Sequence, residues 1–348
     1  MKFLDLFSGI GGFRLGMEQA GHTCVGYCEI DKFSRKSYEA IFDIKGEWTA
    51  HDITTVRITE LPTADIWCFG FPCQDISLAG KLRGFTTGHR SSLFFTVTNL
   101  IKQLPDNRRP TILFIENVKN LLSINGGLDF LRVQIELDQL GYDVEWSVLD
   151  SAALVPQHRE RLFIVGHLRT KRQRQVFPIP DNGTTTTKGL AQVNPTVTHQ
   201  YERVYDPDGI APTLVATSGI RTKIITPTQK SLKVSDATHR GYTNAHSGDG
   251  ISLTYPTSQT RRGRVAHKKA HTLLTDGSEA VVDQALRIRR LTPLEYWRLQ
   301  GFPDEVFYKA KDSGLSDAQL YKQAGNSVTV PIIKAIVSRF QLLSDQHK

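Results

Sequence analysis

The stretch Lys2-Phe3-Leu4-Asp5-Leu6-Phe7-Ser8-Gly9-Ile10-Gly11-Gly12 decides how this chain reads. A short apolar strand runs straight into a glycine-rich turn, and Phe13–Ala20 continues with helical spacing up to Gly21. Strand, glycine turn and helix together let backbone N–H groups approach a ligand beside a helix N-terminus. The spacing is Gly9-x-Gly11-Gly12, and Arg14 stands where a dinucleotide fingerprint has its third glycine. The turn therefore suits a ligand without a pyrophosphate, and a tight turn without any ligand stays open at this point.

Working outward, apolar runs alternate with helical patterns: Thr23–Glu29, Ala64–Phe69, Thr111–Ile115, Asp143–Leu149 and Leu162–His167. Strands that alternate with helices predict an α/β fold, a doubly wound and mostly parallel sheet with helices on both faces. Ligands of such sheets sit at the carboxyl ends of the strands. Polar residues fall at those ends: Glu29 after the second run, Asp52 in His51-Asp52-Ile53-Thr54, Cys73 in Pro72-Cys73-Gln74, and Glu116-Asn117. Glu29 has the position of a ribose acceptor, and Asp52 could accept from an adenine amino group. Either acid taken alone reads as a solvated strand terminus. Taken with the turn, they favour an adenosine-containing ligand.

A free cysteine is usually a small core hydrophobe, but Cys73 leaves a buried strand where the sheet presents ligands, so a nucleophile is the alternative reading. A carboxyl at Glu116, close to a thiolate, would have its pKa raised and could donate a proton. Gln157, Arg159 and Arg161 alternate at strand spacing and are expected to face one side, either in the site or as an edge-strand charge ladder. The four cysteines, Cys24, Cys28, Cys68 and Cys73, lie in the first fifth of the chain and suit a reducing cytoplasm better than a disulfide framework. Cys24 and Cys28, four apart in one strand, should face the same way; with no His completing a close set, no metal site is expected.

Composition sets the outer bounds. At 348 residues, with 39% hydrophobic and 22% charged residues, the chain is globular: one large α/β domain plus something smaller. No apolar run reaches the ~18–20 residues of a membrane helix, and the N-terminus does not read as a signal peptide. The net charge is +8, and it is confined. Residues 171–290 hold 18 Lys and Arg against 9 Asp and Glu, so the rest of the chain is close to neutral. A confined basic block is the footprint of a polyanion partner. The linker-like Phe177–Thr196, rich in Pro, Asn, Gly and Thr, leads into it.

Asp5-Leu6-Phe7-Ser8-Gly9-Ile10-Gly11-Gly12, Pro72-Cys73-Gln74, Glu116-Asn117-Val118, Gln157-x-Arg159-x-Arg161, Arg290-Leu291-Thr292-Pro293 to Pro303, and Gly325-Asn326-Ser327-Val328 occur in that order. This series resembles the DNA (cytosine-5)-methyltransferases of the bacterial restriction–modification type, from residue 5 to about 333, apart from the basic segment. The resemblance implies the S-adenosylmethionine-dependent methyltransferase fold with a smaller, loop-rich, strand-containing DNA-recognition domain. It implies a catalytic and cofactor-binding domain over 1–175, completed by 320–348, and a target-recognition domain over 176–319. It implies S-adenosyl-L-methionine as methyl donor and a flipped-out cytosine in a specific duplex DNA sequence as acceptor.

On this resemblance Cys73 adds to C6 of the cytosine, Glu116 serves N3 and the exocyclic amine, Arg159 contacts O2, and Arg161 holds Glu116 or a phosphate. Phe7, Gly9, Gly11, Gly12, Glu29, Asp52, Asn326 and Ser327 line the cofactor pocket. The glycine-rich stretch 80–90 suits a lid over the base. In the basic block and beside that lid, Arg90, Arg221, Arg240, Arg261, Arg262 and Arg264 are the candidates for DNA contact. A monomer suffices, a cytoplasmic location is expected, and genetic pairing with a restriction endonuclease is implied. The alternatives are an RNA cytosine-5 methyltransferase on the same scaffold and a catalytically silent DNA-binding relative. A nicotinamide dehydrogenase is set aside for want of the pyrophosphate fingerprint.

Overall fold

The computed structural model describes residues 1–71, 93–171, 173–179, 231–255, 258, 260 and 262–340, with the backbone of 204–205 and 223–224. Its centre is a seven-stranded sheet of order β3-β2-β1-β4-β5-β7-β6. The strands are β1 (Lys2–Leu6), β2 (Thr23–Cys28), β3 (Trp48–Ala50), β4 (Ile66–Gly70), β5 (Ile112–Val118), β6 (Tyr142–Asp150) and β7 (Glu160–Leu168). In the middle of the sheet, β4 buries Ile66 to Phe69 and β5 buries Ile112 to Ile115 without a break. Such continuous apolar strands are what a sheet covered on both faces requires.

One strand runs against the others. β7 pairs antiparallel with both β5 and β6. Only residues 151–159 join β6 to β7, including the short 3₁₀ turn Ser151–Ala153. A parallel return would need a crossover of a dozen or more residues, so the chain turns back as a hairpin. β7 is also an interior strand, which removes the edge-ladder reading of Arg159 and Arg161.

The helices cover both faces. Helices α3 (Leu93–Gln103) and α4 (Leu128–Gln139) pack on one side, where Phe94, Val97, Ile101, Phe130, Val133 and Leu137 join Leu4, Leu6, Trp67 and Leu113. On the other side, α1 (Gly12–Gln19) meets α8 (Val330–Val337), and Phe13, Met17, Ile332, Ile333 and Ile336 pack with Phe3, Cys68 and Phe114. The C-terminal segment thus folds back on the first strands. A third cluster joins α5 (Pro293–Leu299), α6 (Asp304–Asp312) and α7 (Asp317–Asn326) to Ile10 and to Ile41 of α2 (Lys32–Ile41). α5 starts as its sequence suggests, with Thr292 and Glu295 forming a capping box around Pro293.

The basic block contributes short strands. β10 (Leu232–Ser235) pairs with β11 (Tyr242–Ala245), and β12 (Gly250–Ser252), β13 (Val265–Ala266), β14 (Glu279–Val282) and β15 (Ile288–Arg290) form an antiparallel sheet of order β13-β12-β14-β15. The two-residue strands β8 (Val204–Tyr205) and β9 (Lys223–Ile224) pair with each other in parallel. The lobe's own cluster is small: Val234, Ala245, Ile251, Ala280 and Val282. Among the described residues, no helix is long and apolar enough to cross a membrane.

Candidate active site

The strand order reverses between β1 and β4, and the crevice at the carboxyl ends there is where an open α/β sheet binds its ligand. The turn after β1 is built for that crevice. Phe7 and Gly9 have positive φ, 54° and 55°, and Gly11 reaches 83°. The Gly11 N–H donates to the Ser8 carbonyl at 2.9 Å and closes the turn. Gly12 is required by proximity: a Cβ there would lie 2.6 Å from Ser327 Oγ. The place of the missing third glycine is taken by a brace. Arg14 is 5% exposed, forks onto Glu47 with two bonds of 2.8 Å, and sits 4.5 Å from the Phe42 ring centroid.

Glu29 lies one residue beyond β2 and is 9% exposed. Its Oε2 accepts from the Gly9 N–H at 2.8 Å and its Oε1 from the Asp31 N–H at 2.7 Å. Each carboxylate oxygen keeps a further lone pair, so two hydroxyls of a ligand could still be accepted. Asp52 Oδ1 takes the Thr54 N–H and hydroxyl, leaving Oδ2 without a partner among the described residues. Ile30, directly after Glu29, is 69% exposed. Sequence reading passes over it, although an apolar residue following a strand-end acid is a usable signal.

The second half of the site sits on β5 and β7. Glu116 pairs in register with Gly70 of β4, and its Oε1 lies 3.1 Å from Arg161 Nε. Both side chains are mostly buried, 14% and 17% exposed. Burial pushes the Glu116 carboxyl above its ordinary value, and the charges of Arg161 and Arg159 offset only part of that. Asn117 pins the exit of β4, donating from Nδ2 to the Phe71 carbonyl at 2.9 Å.

Arg159 is turned inward, 3% exposed. Its Nη2 donates to the carbonyls of Ser327 at 2.7 Å and Gly325 at 3.1 Å. Nε and Nη1 are buried with no partner among the described residues. Burial, then the like charge of Arg161, pulls its pKa down to about 9, with Glu116 opposing, so it stays a cation at neutral pH. Gln157 does not join the two arginines. It is fully buried, and its amide, oriented to satisfy both ends, meets the Leu299 carbonyl and the Leu273 N–H. The expected common face fails because Gln157 and Arg159 precede β7 and do not follow its pleat.

The turn after α7 ties these pieces together. Ser327 touches Gly12 on one side and holds Arg159 on the other, while Asn326 is exposed at the helix end. Gln300, fully buried, receives the Thr329 hydroxyl at 2.9 Å and donates to the Ala324 carbonyl at 2.8 Å. A hollow of about 450 Å³ opens beside Arg161, lined also by Val118, Lys119, Asn120, Asp150, His158, Glu160 and Thr272.

Three of the four cysteines are unsuited to attack. Burial pushes the thiols of Cys24 and Cys28 up to about 12 and that of Cys68 well above its ordinary value. Cys24 and Cys28 also face opposite sides of the sheet, contrary to the expected common side. A bulge does this: Phe3 pairs with Cys24 but Leu4 with Gly26, so β2 skips Val25 and its alternation inverts. Cys73, Arg90, Arg221, Arg261 and the stretch 80–90 lie outside the described residues. Arg240 is exposed in a hollow of about 400 Å³ with Thr238, His239, Tyr242, Thr243 and Asn244. Arg262 is exposed too, donating from Nε to the Ala237 carbonyl at 2.9 Å. Arg264 departs from the expected DNA contact: it is 4% exposed and its Nη2 donates to the carbonyls of Tyr255 and Ser258, bracing the loop from within.

Comparison with known proteins gives the family. Residues 1–341 match the family described as C-5 cytosine-specific DNA methylase. The chain is 32% identical over 341 residues to the type II methyltransferase M.DsaV of Dactylococcopsis salina, covering 97% of this chain and 85% of that one. It is also 32% identical over 339 residues to the type II methyltransferase M.HhaI of Haemophilus parahaemolyticus, at 97% and 93% coverage. In fold it is similar to the Dnmt2 methyltransferase of S. pombe, with TM-score 0.58, 18% identity and 97% of both chains covered. The chain belongs to the C-5 cytosine-specific DNA methylases, of the restriction–modification type, and is an enzyme that methylates cytosine C5 in DNA at the expense of S-adenosylmethionine.

Proposed function

We propose that this chain methylates a flipped-out cytosine in a specific duplex sequence through a covalent bond between Cys73 and C6. The observation that carries the reading is Arg159. A buried cation with two donor atoms that have no partner among the described residues, anchored by the turn that touches Gly12 and electrostatically coupled to Glu116, is poised for an acceptor. The cytosine O2 is such an acceptor. Unpaired buried donors cost about 1–3 kcal/mol, a cost recovered when the base enters.

Cytosine C5 is a poor nucleophile until the ring gains electrons. Thiolate addition at C6 supplies them, breaking the C5–C6 π bond and placing negative charge on the ring. Glu116, with its raised pKa, delivers a proton or strong hydrogen bond at N3 and accepts from the exocyclic amine; Arg161 fixes its orientation. The electron-rich C5 takes the methyl group of a bound sulfonium donor: the S–CH3 bond breaks as the C5–CH3 bond forms, leaving a neutral thioether. The ring then loses its C5 proton to water, N3 returns any proton to Glu116, the π bond re-forms and the C6–S bond breaks.

The residues at the crevice fit S-adenosylmethionine: a glycine turn without a phosphate cradle, a carboxylate with lone pairs to spare at Glu29, and the open Oδ2 of Asp52. Once bound, that cofactor supplies the electrophilic methyl group. We assign Phe7 and the exposed Ile30 to the adenine, Glu29 to the ribose hydroxyls, Asp52 to the adenine amine, and Gly9, Gly11, Gly12, Asn326 and Ser327 to the pocket wall. Residues 1–175 with 320–348 form the catalytic domain and 176–319 the target-recognition domain. Arg240 and its hollow face the base edges, whereas Arg262, Arg221, Arg261 and Arg90 serve phosphates or bases. The protein works as a monomer in the cytoplasm beside a cognate restriction endonuclease.

The test uses duplex DNA with 5-fluorocytosine at the target, where no C5 proton can leave. The wild type should form a detergent-resistant complex that Cys73→Ala lacks. Methylation of ordinary DNA by Cys73→Ala would sink the covalent mechanism.

A further inference from the structure

In the basic lobe, the turn from β11 to β12 and the segment after β13 bring two imidazoles onto one carboxylate. His246 and Asp249 belong to the turn, and His267 follows Ala266. The Asp249 side chain is 1% exposed, and its oxygens are set by backbone: Oδ1 accepts the Lys268 N–H at 3.0 Å, Oδ2 the His246 N–H at 2.8 Å. His267 Nδ1 lies 2.8 Å from Oδ2 and His246 Nδ1 3.5 Å from the same atom. The three atoms are all within 4.8 Å of one another, and both imidazoles are about half exposed.

A buried aspartate that fixes a turn accounts for the backbone bonds and for one histidine. It does not call for a second imidazole with its Nδ1 directed at the same oxygen. Donor atoms around a tetrahedral zinc ion are about 3.3 Å apart, given Zn–N and Zn–O distances of about 2.0–2.2 Å. The two measured separations, 2.8 and 3.5 Å, bracket that spacing. With the ring protons on Nε2, the two Nδ1 lone pairs and the carboxylate oxygen make up the donor set.

We propose that His246, Asp249 and His267 hold a divalent transition cation of the zinc class, which staples the β11–β12 turn to the segment after β13. Imidazole and carboxylate donors suit zinc, and the backbone-held carboxylate is the pre-oriented ligand such sites use. The fourth position is open to water. The lobe has reason to be stapled, since among the described residues its fully buried apolar cluster is five small or medium side chains. The Lys268 ammonium is close by, bound to the Ser247 carbonyl at 2.8 Å, and its charge tempers the affinity. Sequence reading misses the site because His267 lies 18 residues beyond Asp249 and the ligands include no cysteine. The proposal does not depend on the catalytic reading.

The tag-free, chelator-stripped full chain is titrated with ZnCl2 by calorimetry and native mass spectrometry. One ion should bind per chain, and His246→Gln/His267→Gln should weaken binding at least tenfold while His239→Gln leaves it unchanged. Hydrogen exchange on the wild type gives a readout independent of any variant. Zinc should protect residues 242–252 and 264–270 selectively. Absence of stoichiometric binding, equal affinity in the double variant, or protection spread evenly over the chain would each overturn the site.

Discussion

In the central sheet, β4 and β5 bury four consecutive apolar residues each, Ile66–Phe69 and Ile112–Ile115, and are covered on both faces by helices from distant parts of the sequence. In the basic lobe, the described strands are two to four residues long and pack around five buried apolar side chains, and polar braces such as Arg264, Asp236 and Asp249 hold the loops. The sheet holds groups that must be placed to a fraction of an ångström around a reacting base. The lobe holds groups that meet a flexible polyanion, where charge acts at longer range and small displacements cost little. Each region is built to the tolerance of its task.

The largest effect should come from the rigid region. Glu116→Gln keeps the shape but not the titratable proton, and should lower kcat by about 10²–10⁴-fold. DNA and cofactor affinities should stay within a few-fold of wild type. Methyl transfer measured with labelled cofactor checks this; a kcat within threefold would remove Glu116 from the chemistry.

Next come the cores themselves. Phe114, fully buried and packed edge-on against Phe13 and Phe340, should cost about 3–5 kcal/mol when cut to alanine. Ile251→Ala should cost less, about 2 kcal/mol, because the small lobe can relax around it. Urea unfolding followed by both far-ultraviolet dichroism and lobe-specific hydrogen exchange separates the two. Equal losses would break the contrast between a jigsaw core and a braced lobe.

That contrast also governs what the sequence made legible. The strand ends were readable because burial demands continuous apolar runs, and a polar residue at the end of one stands out. Thus Glu29 and Glu116 stand out at strand ends by pattern, whereas the strand before Asp52 is three residues long and has no fully buried residue. The bulge at Val25 was not readable, since nothing local distinguishes a strand that skips one residue. Nor was the inward turn of Arg159, which depends on carbonyls of Gly325 and Ser327 more than 160 residues away. The reversal of β7 was within reach, because the connector of 151–159 is too short for a crossover. In the lobe, a basic count reports how many charges there are but not which way they point, so Arg264 looked like its neighbours.

The arginines sharpen the comparison at smaller magnitude. Arg240→Ala should weaken specific DNA binding by about 1–3 kcal/mol if it reads a base, and relax preference at one position. Arg262→Ala should weaken all sequences alike and reduce the salt slope by about one. Arg264→Ala should leave the salt slope unchanged and destabilise the lobe, as its carbonyl contacts require. Titrations at several salt concentrations distinguish the three; a salt slope lowered by Arg264→Ala would return that residue to the DNA-facing surface.

The smallest effect is expected where one region hands over to the other. Glu145 of β6 accepts from His167 of β7 at 2.6 Å and from the N–H groups of Val176 and Phe177, anchoring the chain as it leaves the sheet. Burial would raise the Glu145 pKa, but the His167 bond and the two backbone donors outweigh it and hold it below the ordinary 4.5. Its contribution to stability is therefore present above about pH 4.5 and lost as pH falls through the depressed value. For His167, burial would lower the pKa, but Glu145 and Gln173 outweigh it and hold it above the ordinary 6.5. That contribution is full below about pH 6.5 and lost as pH rises through the elevated value. Both are at full strength together only between about pH 4.5 and 6.5, where the anchor should be strongest. Glu145→Gln should lower the melting temperature by about 2–4 °C in that window and by less at pH 9. A uniform loss across pH would mean that the carboxylate acts through its backbone bonds alone, and that the junction owes nothing to the imidazole.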